Sequence, residues 1–197
     1  MYIYENYIKR TIDIVLASLC LVPLGILLLV VSPLIKKEDG GKVFYMSDRI
    51  GKDCKIYRMY KIRTMVENAP NILNHDGSTY NAENDIRQTK IGKFLRKTSL
   101  DELPQVLNIF RNEMSFIGPR PIMKEQLNSF TTEELGKMKV LPGITGYNQA
   151  YHRNKLGNHE ERMNDVWYAN HISFKLDLKI FLRTIWTVLH PSNVYRN

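Results

Sequence analysis

Cysteine is scarce: the 197-residue chain has two. Cys20 lies inside an apolar run and Cys54 in a polar stretch, so they do not read as a pair, and a disulfide-stapled scaffold is excluded. Internal repeats and low-complexity segments are also missing, which removes solenoids and long linkers. Acidic side chains are outnumbered, 20 against 28 lysines and arginines, giving a formal net charge of +8 and a pI near 9.4. That imbalance points to an anionic partner, whether nucleic acid, lipid headgroups or a nucleotide diphosphate. The absence with the largest consequence is local. The mean hydropathy of −0.30 conceals a stretch from Ile14 to Ile35 without one charged side chain.

At about 1.5 Å per helical residue, that run is roughly long enough for a hydrocarbon core of about 30 Å. A buried helix of a soluble protein would also be this apolar. A secretory signal fits less well, because no A-x-A-like cleavage site precedes Lys36. We read the run as a membrane anchor, with the polar remainder in a reducing cytoplasmic setting. Tyr2, Tyr4 and Tyr7 beside Lys9 and Arg10 suit the water–lipid boundary. Pro23, with Gly25 behind it, predicts a kink near Cys20–Val22, and the Ser18 hydroxyl is a candidate to satisfy a freed carbonyl. Lysines and arginines flank both ends, so the positive-inside rule assigns no orientation to a straight span. A kinked helix that enters and leaves by one face satisfies both flanks.

Beyond the run, Lys42–Met46 reads as a strand, Asp48–Lys52 as a turn and Ile56–Met65 as a second strand. Pro70–Asn84 is a loop, and Thr89–Lys97 a short helix. Ser99 is expected to cap the next helix, with Glu102 completing a capping box and Leu100, Leu103, Val106, Leu107 and Phe110 on its apolar face. Thr131–Lys139 is predicted helical, Pro142 to about Asn158 a loop, and Glu160–Leu189 helical, with an apolar stripe through Leu178, Phe181, Leu182, Ile185 and Trp186.

Three stretches can carry chemistry. In Lys97-Thr-Ser-Leu-Asp101-Glu102-Leu-Pro104-Gln105, adjacent carboxylates open a helix. That is where backbone N–H groups favour negative charge, so capping accounts for them as readily as catalysis. In Met114-Ser-Phe-Ile-Gly118-Pro119-Arg120-Pro121, Pro119 and Pro121 fix the backbone around Arg120. A guanidinium held that way suits bidentate phosphate recognition, and the same residues would also make a rigid surface turn. Pro142-Gly143-Ile144-Thr145-Gly146 is a turn with exposed backbone N–H groups and says little alone.

Taken in order with Lys61-x-Arg63-Thr64-Met65, these motifs resemble the bacterial sugar transferases, and more narrowly the small monotopic phosphoglycosyl transferases. The resemblance runs from Lys9-Arg10-x-x-Asp13 to Asp177-Leu-Lys-Ile180. It implies transfer of a phosphosugar from a UDP-sugar to polyprenyl (undecaprenyl) phosphate with release of UMP, the first membrane step of surface-glycan assembly. Asp101 would be the covalent nucleophile and Glu102 would help hold Mg²⁺. Arg96 and Arg120 would mask phosphate charge, with Lys61 and Arg63 in a matching motif. The sequence departs from the family at Pro23, about one turn before the usual Ser-Pro break. It departs again at Leu141, in place of arginine, and at Tyr147, in place of tryptophan.

The expected architecture is α/β-like and mainly helical. Residues 1–38 form a re-entrant membrane helix, and residues 39–197 a catalytic domain on the cytoplasmic face of the bacterial inner membrane. Interfacial amphipathic helices would include the last one, with Lys179 and Arg183 at the headgroups. Membrane lipid is an expected partner and a homo-oligomer is compatible. Nucleic acid is not expected, since the basic residues are spread along the chain. The rival reading is a membrane-tethered basic binding protein without catalysis, which leaves Asp101, Glu102 and the Pro-Arg-Pro segment without a job.

Overall fold

The apolar run folds into one long helix, α1 (Lys9–Asp39), entered through a π-helical turn at Tyr4–Ile8. The computed structural model describes residues 3–70, 72, 80, 82, 84–152 and 156–190. Tyr2 and most of the expected loop Pro70–Asn84 lie outside them. No break in helical conformation occurs at Pro23: it and Pro33 both sit inside α1. Each proline removes one helical N–H, which strips the carbonyls of Leu19 and Leu29 of their helical partner. Ser18 does not serve a freed carbonyl; its hydroxyl donates to Ile14 O at 2.9 Å, the i−4 back-bond that bends helices slightly. Gly40 closes α1 in the left-handed region, at φ 72°, with its N–H on Lys36 O, a conformation that costs glycine least.

The helix has two faces. Lys9, Asp13, Ala17, Leu24, Val31 and Ile35 are buried, and their steps of four and seven residues form one stripe along the axis. Val15, Leu19, Val22, Ile26, Leu29 and Val30 are exposed on the rest of the surface. The buried stripe joins the cores of the remainder. Ala17 and Leu24 pack with Tyr57, Met59, Val106, Ile109 and Met114, and Val31 and Ile35 pack with Ile62 and Leu95. The α1 helix therefore shares its cores with the elements that follow it.

The polar residues of α1 set how it docks. The Lys9 ammonium pairs with Asp177 at 2.7 Å. Arg10 donates to Ile109 O and Phe110 O at the end of α3 (Val106–Phe110), where a cation meets the exposed carbonyls. Asp13 accepts the Phe116 N–H at 3.0 Å. Glu38 accepts the first N–H groups of α2 (Lys90–Thr98), and Asp39 takes the Arg63 guanidinium on both oxygens. Apolar contact alone discriminates poorly between protein and lipid, so these bonds fix the register.

The rest is mainly helical with small sheets. β1 (Phe44–Ile50) pairs antiparallel with β2 (Ile56–Ile62) and with the short β4 (Ile122–Met123). β1 extends beyond its predicted end. The reversal falls at Gly51–Lys55 instead of Asp48–Lys52, through Asp53 and Cys54 at positive φ. β2 is an edge strand. The fully buried Asn108 amide serves it as a substitute neighbour, accepting from Tyr60 N and donating to Arg58 O. β3 (Ser115–Ile117) and β5 (Gly143–Thr145) form a parallel pair. The predicted loop after Pro142 thus contains a strand, and it also contains α4 (Tyr147–Tyr151). The Thr131–Lys139 helix is a 3₁₀ segment, Glu134–Lys139, opened by reciprocal Thr131–Glu134 bonds. The long C-terminal helix is two, α5 (Asn158–His171) and α6 (Phe174–Leu189), the second capped by Ser173.

Candidate functional site

Asp101 and Glu102 lie on a 3₁₀ turn, Leu100–Gln105, which continues into α3. Ser99 does not cap it with its side chain. It ends α2 in the left-handed region at φ 58°, so Glu102 is released from the expected capping box. The Glu102 carboxylate instead meets Lys61 on β2, Nζ to Oε1 at 2.5 Å. The turn lies against β2, and Pro104, Gln105 and Val106 are buried beneath it.

The two carboxylates differ in character. Asp101 is buried, at 7 % exposure, and burial together with the Glu102 charge pushes its pKa up to about 6, against the pull of Lys61 and Arg96. Burial also acts to raise Glu102, but the Lys61 and Arg120 cations outweigh it and hold that carboxyl below its ordinary range. Neighbouring acids whose environments push them apart can take different roles. Around them stand Lys61 from β2, Arg96 from the last turn of α2 and Arg120 from the Pro119–Pro121 segment.

The structure joins the other motifs around this centre. Gly118 and Gly143 meet backbone to backbone: a Cβ on Gly118 would lie 2.3 Å from Leu141 O, and one on Gly143 2.1 Å from Gly118 N. Only glycine allows that approach. The Gly143 N–H donates to Pro119 O at 2.9 Å, so the fourth motif braces the arginine of the third. Pro119 is buried behind Arg120, which is exposed. Arg63 is not brought to the carboxylates. Its guanidinium is committed to Asp39, Lys42 O and Met65 O, and it clamps the end of α1. Leu141 supplies backbone near Gly118, and Tyr147 packs with Tyr151 and Trp167.

Three further residues contribute to the arrangement. Arg49 on β1 acts on Glu102 and on Arg120 electrostatically. Asp13 holds Phe116 in the strand before Gly118. Asp177 gathers Lys9, Tyr4 and Tyr168. Asp13 and Asp177 were legible as the two ends of the family resemblance, though not the partners they take. Nothing in the local sequence marked Arg49.

Residues 4–191 match the family model described as bacterial sugar transferase. The chain belongs to the bacterial sugar transferase family. It is 38 % identical to the galactosyl transferase CpsE of Streptococcus agalactiae, over 95 % of this chain and 44 % of that protein. It is 37 % identical to the exopolysaccharide production protein ExoY of Sinorhizobium fredii, over 90 % of this chain and 83 % of ExoY. With the undecaprenyl-phosphate galactose phosphotransferase of Salmonella typhimurium it shares 32 %, over 97 % of this chain and 42 % of the relative. This family member thus spans less than half the length of CpsE and of the Salmonella protein.

Proposed function

We propose that the chain transfers a phosphosugar from a UDP-sugar to undecaprenyl or a related polyprenyl phosphate. The observation that carries this reading is a buried carboxylate, Asp101, beside an ion-paired one, Glu102, with Lys61, Arg96 and Arg120 around them. A carboxylate approaches an anionic phosphorus only where cations mask the phosphate charge. The names of the Salmonella relative and of an Aeromonas hydrophila relative, a UDP-N-acetylgalactosamine-undecaprenyl-phosphate N-acetylgalactosaminephosphotransferase, agree with that donor and acceptor.

In the first step an Asp101 carboxylate oxygen attacks the β-phosphorus. The bond from that phosphorus to the bridging oxygen breaks, and UMP leaves with the electron pair. In the second, a phosphate oxygen of the polyprenyl phosphate attacks the same phosphorus. The aspartyl P–O bond breaks, Asp101 is regenerated as a carboxylate, and a polyprenyl diphosphate sugar departs. Lys61 orients Glu102, and Arg96 and Arg120 bind phosphate oxygens. Among the described residues no group of three or more His, Cys, Asp or Glu forms a ready cage for a metal. Mg²⁺ needs none, since one or two carboxylates with substrate phosphates and water suffice. Glu102 fits, because its Oε2 accepts no hydrogen bond from the described residues. When bound there, Mg²⁺ supplies neutralisation of the diphosphate.

We further read α1 as entering and leaving the membrane on one face, with the remainder on the cytoplasmic side of the inner membrane. At about 1.5 Å per residue, α1 is about 46 Å long. Lys9 and Asp39, near its two ends, are nevertheless bonded to the same body, and its buried stripe follows that body throughout. A straight span would carry the attached β2 and α3 into lipid. The exposed face of α6, with Leu178, Leu182, Ile185, Trp186 and Val188 beside Lys179 and Arg183, suits the headgroup boundary.

Intact-protein mass spectrometry tests the chemistry. With a panel of UDP-sugars and no acceptor, one donor should add a phosphosugar mass to the wild type and none to Asp101→Asn. Full turnover by folded Asp101→Asn would end the reading.

A further inference from the structure

β1 places one more cation within electrostatic reach of Glu102. Directly paired residues of an antiparallel ladder share a face, so Tyr45–Lys61, Ser47–Met59 and Arg49–Tyr57 put Arg49 on the face of the sheet that carries Lys61. On its other side Arg49 pairs with Met123 of β4, which follows directly from the Pro119–Pro121 segment. Arg49 thus sits between the strand that supplies Lys61 and the segment that supplies Arg120. Its charge reaches Glu102, as Arg120's does.

Arg49 has little to hold. Its Nε donates to Ser47 Oγ at a long 3.3 Å, and no other hydrogen bond from its guanidinium is formed among the described residues. Neither Arg49 nor Arg120 has an ion-pair partner there, although Arg10, Arg58, Arg63, Arg87, Arg111 and Arg162 all have bonded partners. Glu125 is felt by Arg49 but stays beyond ion-pair distance. Tyr57, opposite it, carries a buried hydroxyl with no partner, so it is not the missing acceptor. Arg49 is half-buried and is repelled by Arg120. Two unpaired guanidinia held near each other are costly unless an anion joins them, and the planar fork of arginine matches phosphate oxygens bidentately.

We propose that Arg49 binds the diphosphate of the donor, forming with Arg120 a two-arginine clamp over the phosphate groups presented to Asp101. The clamp rests on the reading of the donor as a nucleotide-sugar. Its Arg49 limb is the residue that neither the motifs nor the family resemblance assigned.

The probe is UDP, titrated calorimetrically into the full chain in detergent with Mg²⁺ and no acceptor, so that binding is read without turnover. Arg49→Gln should weaken UDP about ten- to a hundredfold, the range for a lost charge-assisted bond. Arg49→Lys should recover only part of that, because an ammonium keeps the charge without the fork. Arg111→Gln, which removes an equal charge from an exposed site on the Tyr60 ring, should leave UDP affinity unchanged. If Arg49→Gln binds UDP as tightly as wild type, or Arg111→Gln loses as much, the proposal is wrong. Should Arg49→Gln not fold, Arg49→Lys decides: an unchanged dissociation constant overturns the clamp. If the wild type itself binds no UDP while Arg49 and Arg120 are intact, the nucleotide-sugar reading falls, and the clamp with it.

Discussion

Replacing Asp177 with alanine should be among the most damaging single changes outside the carboxylate pair. Asp177 is buried on α6, its side chain 6 % exposed, and it pairs with the Lys9 ammonium, which is 9 % exposed, at 2.7 Å. The Tyr4 and Tyr168 hydroxyls also donate to it, each at 2.7 Å. Asp177→Ala leaves the lysine charge buried and unpaired, which costs about 3–5 kcal/mol. Tyr168 loses less, because its hydroxyl can turn to Ile117 O, already at 3.2 Å. Tyr4 is only half-buried and can reach water. We expect a net loss of about 4 kcal/mol, or a fall in Tm of about 8–16 °C for a chain of this size. Thermal unfolding in detergent, followed by Trp167 on α5 and Trp186 on α6, would measure it. The double variant Lys9→Met/Asp177→Leu removes both charges, and it should recover most of the loss because no buried charge remains. A fall in Tm below about 3 °C for Asp177→Ala, or no recovery in the double variant, would refute a buried ion pair joining α1 to α6.

Acid should act on the 3₁₀ segment before α5. Burial alone would raise Glu134, but the Thr131 N–H, His159 and Arg162 outweigh it and bring its pKa down to about 2. A carboxyl depressed in the folded state contributes stability that is complete above its ordinary value near 4.5 and is lost as pH falls toward about 2. The stability gap between wild type and Glu134→Gln should therefore shrink by about 2 kcal/mol in urea melts between pH 6 and pH 2.5; a constant gap would contradict this. Gly118→Ala, whose Cβ would fall 2.3 Å from Leu141 O, should cost about 3 kcal/mol and raise the donor KM by displacing Arg120. A Tm within about 2 °C of wild type would count against the close approach. Thiol labelling of Tyr7→Cys and Lys37→Cys, in a Cys20→Ser, Cys54→Ser background, should reach both sites from the cytoplasmic side alone. Labelling of position 7 from outside would show that α1 spans.

Local order in the sequence carried the family, because its motifs are runs of residues that lie next to each other in the chain. Asp101-Glu102, Gly118-Pro119-Arg120-Pro121 and Pro142-Gly143 are contiguous, so their spacing survives whatever the fold does with them. The apolar run was legible for the same reason, and so was the amphipathic stripe of α6. The sequence alone was not enough where a local signal had two uses. Ser99 and Glu102 spell a capping box, yet the chain turns left-handed at Ser99 and Glu102 is taken by Lys61. Arg63 reads as a phosphate ligand beside Lys61, yet it lies just past the end of β2, where Asp39 at the end of α1 takes its guanidinium. Pro23 predicts a kink, and what the tertiary structure adds is that α1 stays helical through it while its buried stripe follows one body. β5 is too short to have a period of its own and exists because β3 lies beside it. Arg49 shows the same limit at the site. Its place within electrostatic reach of Glu102 and Arg120 comes from strand pairing across the β1–β2 and β1–β4 ladders. What residues do through their neighbours in the chain was fixed in one dimension. What they do through distant partners was settled only when helix and strands packed, since side-chain direction and ion-pair choice are tertiary quantities.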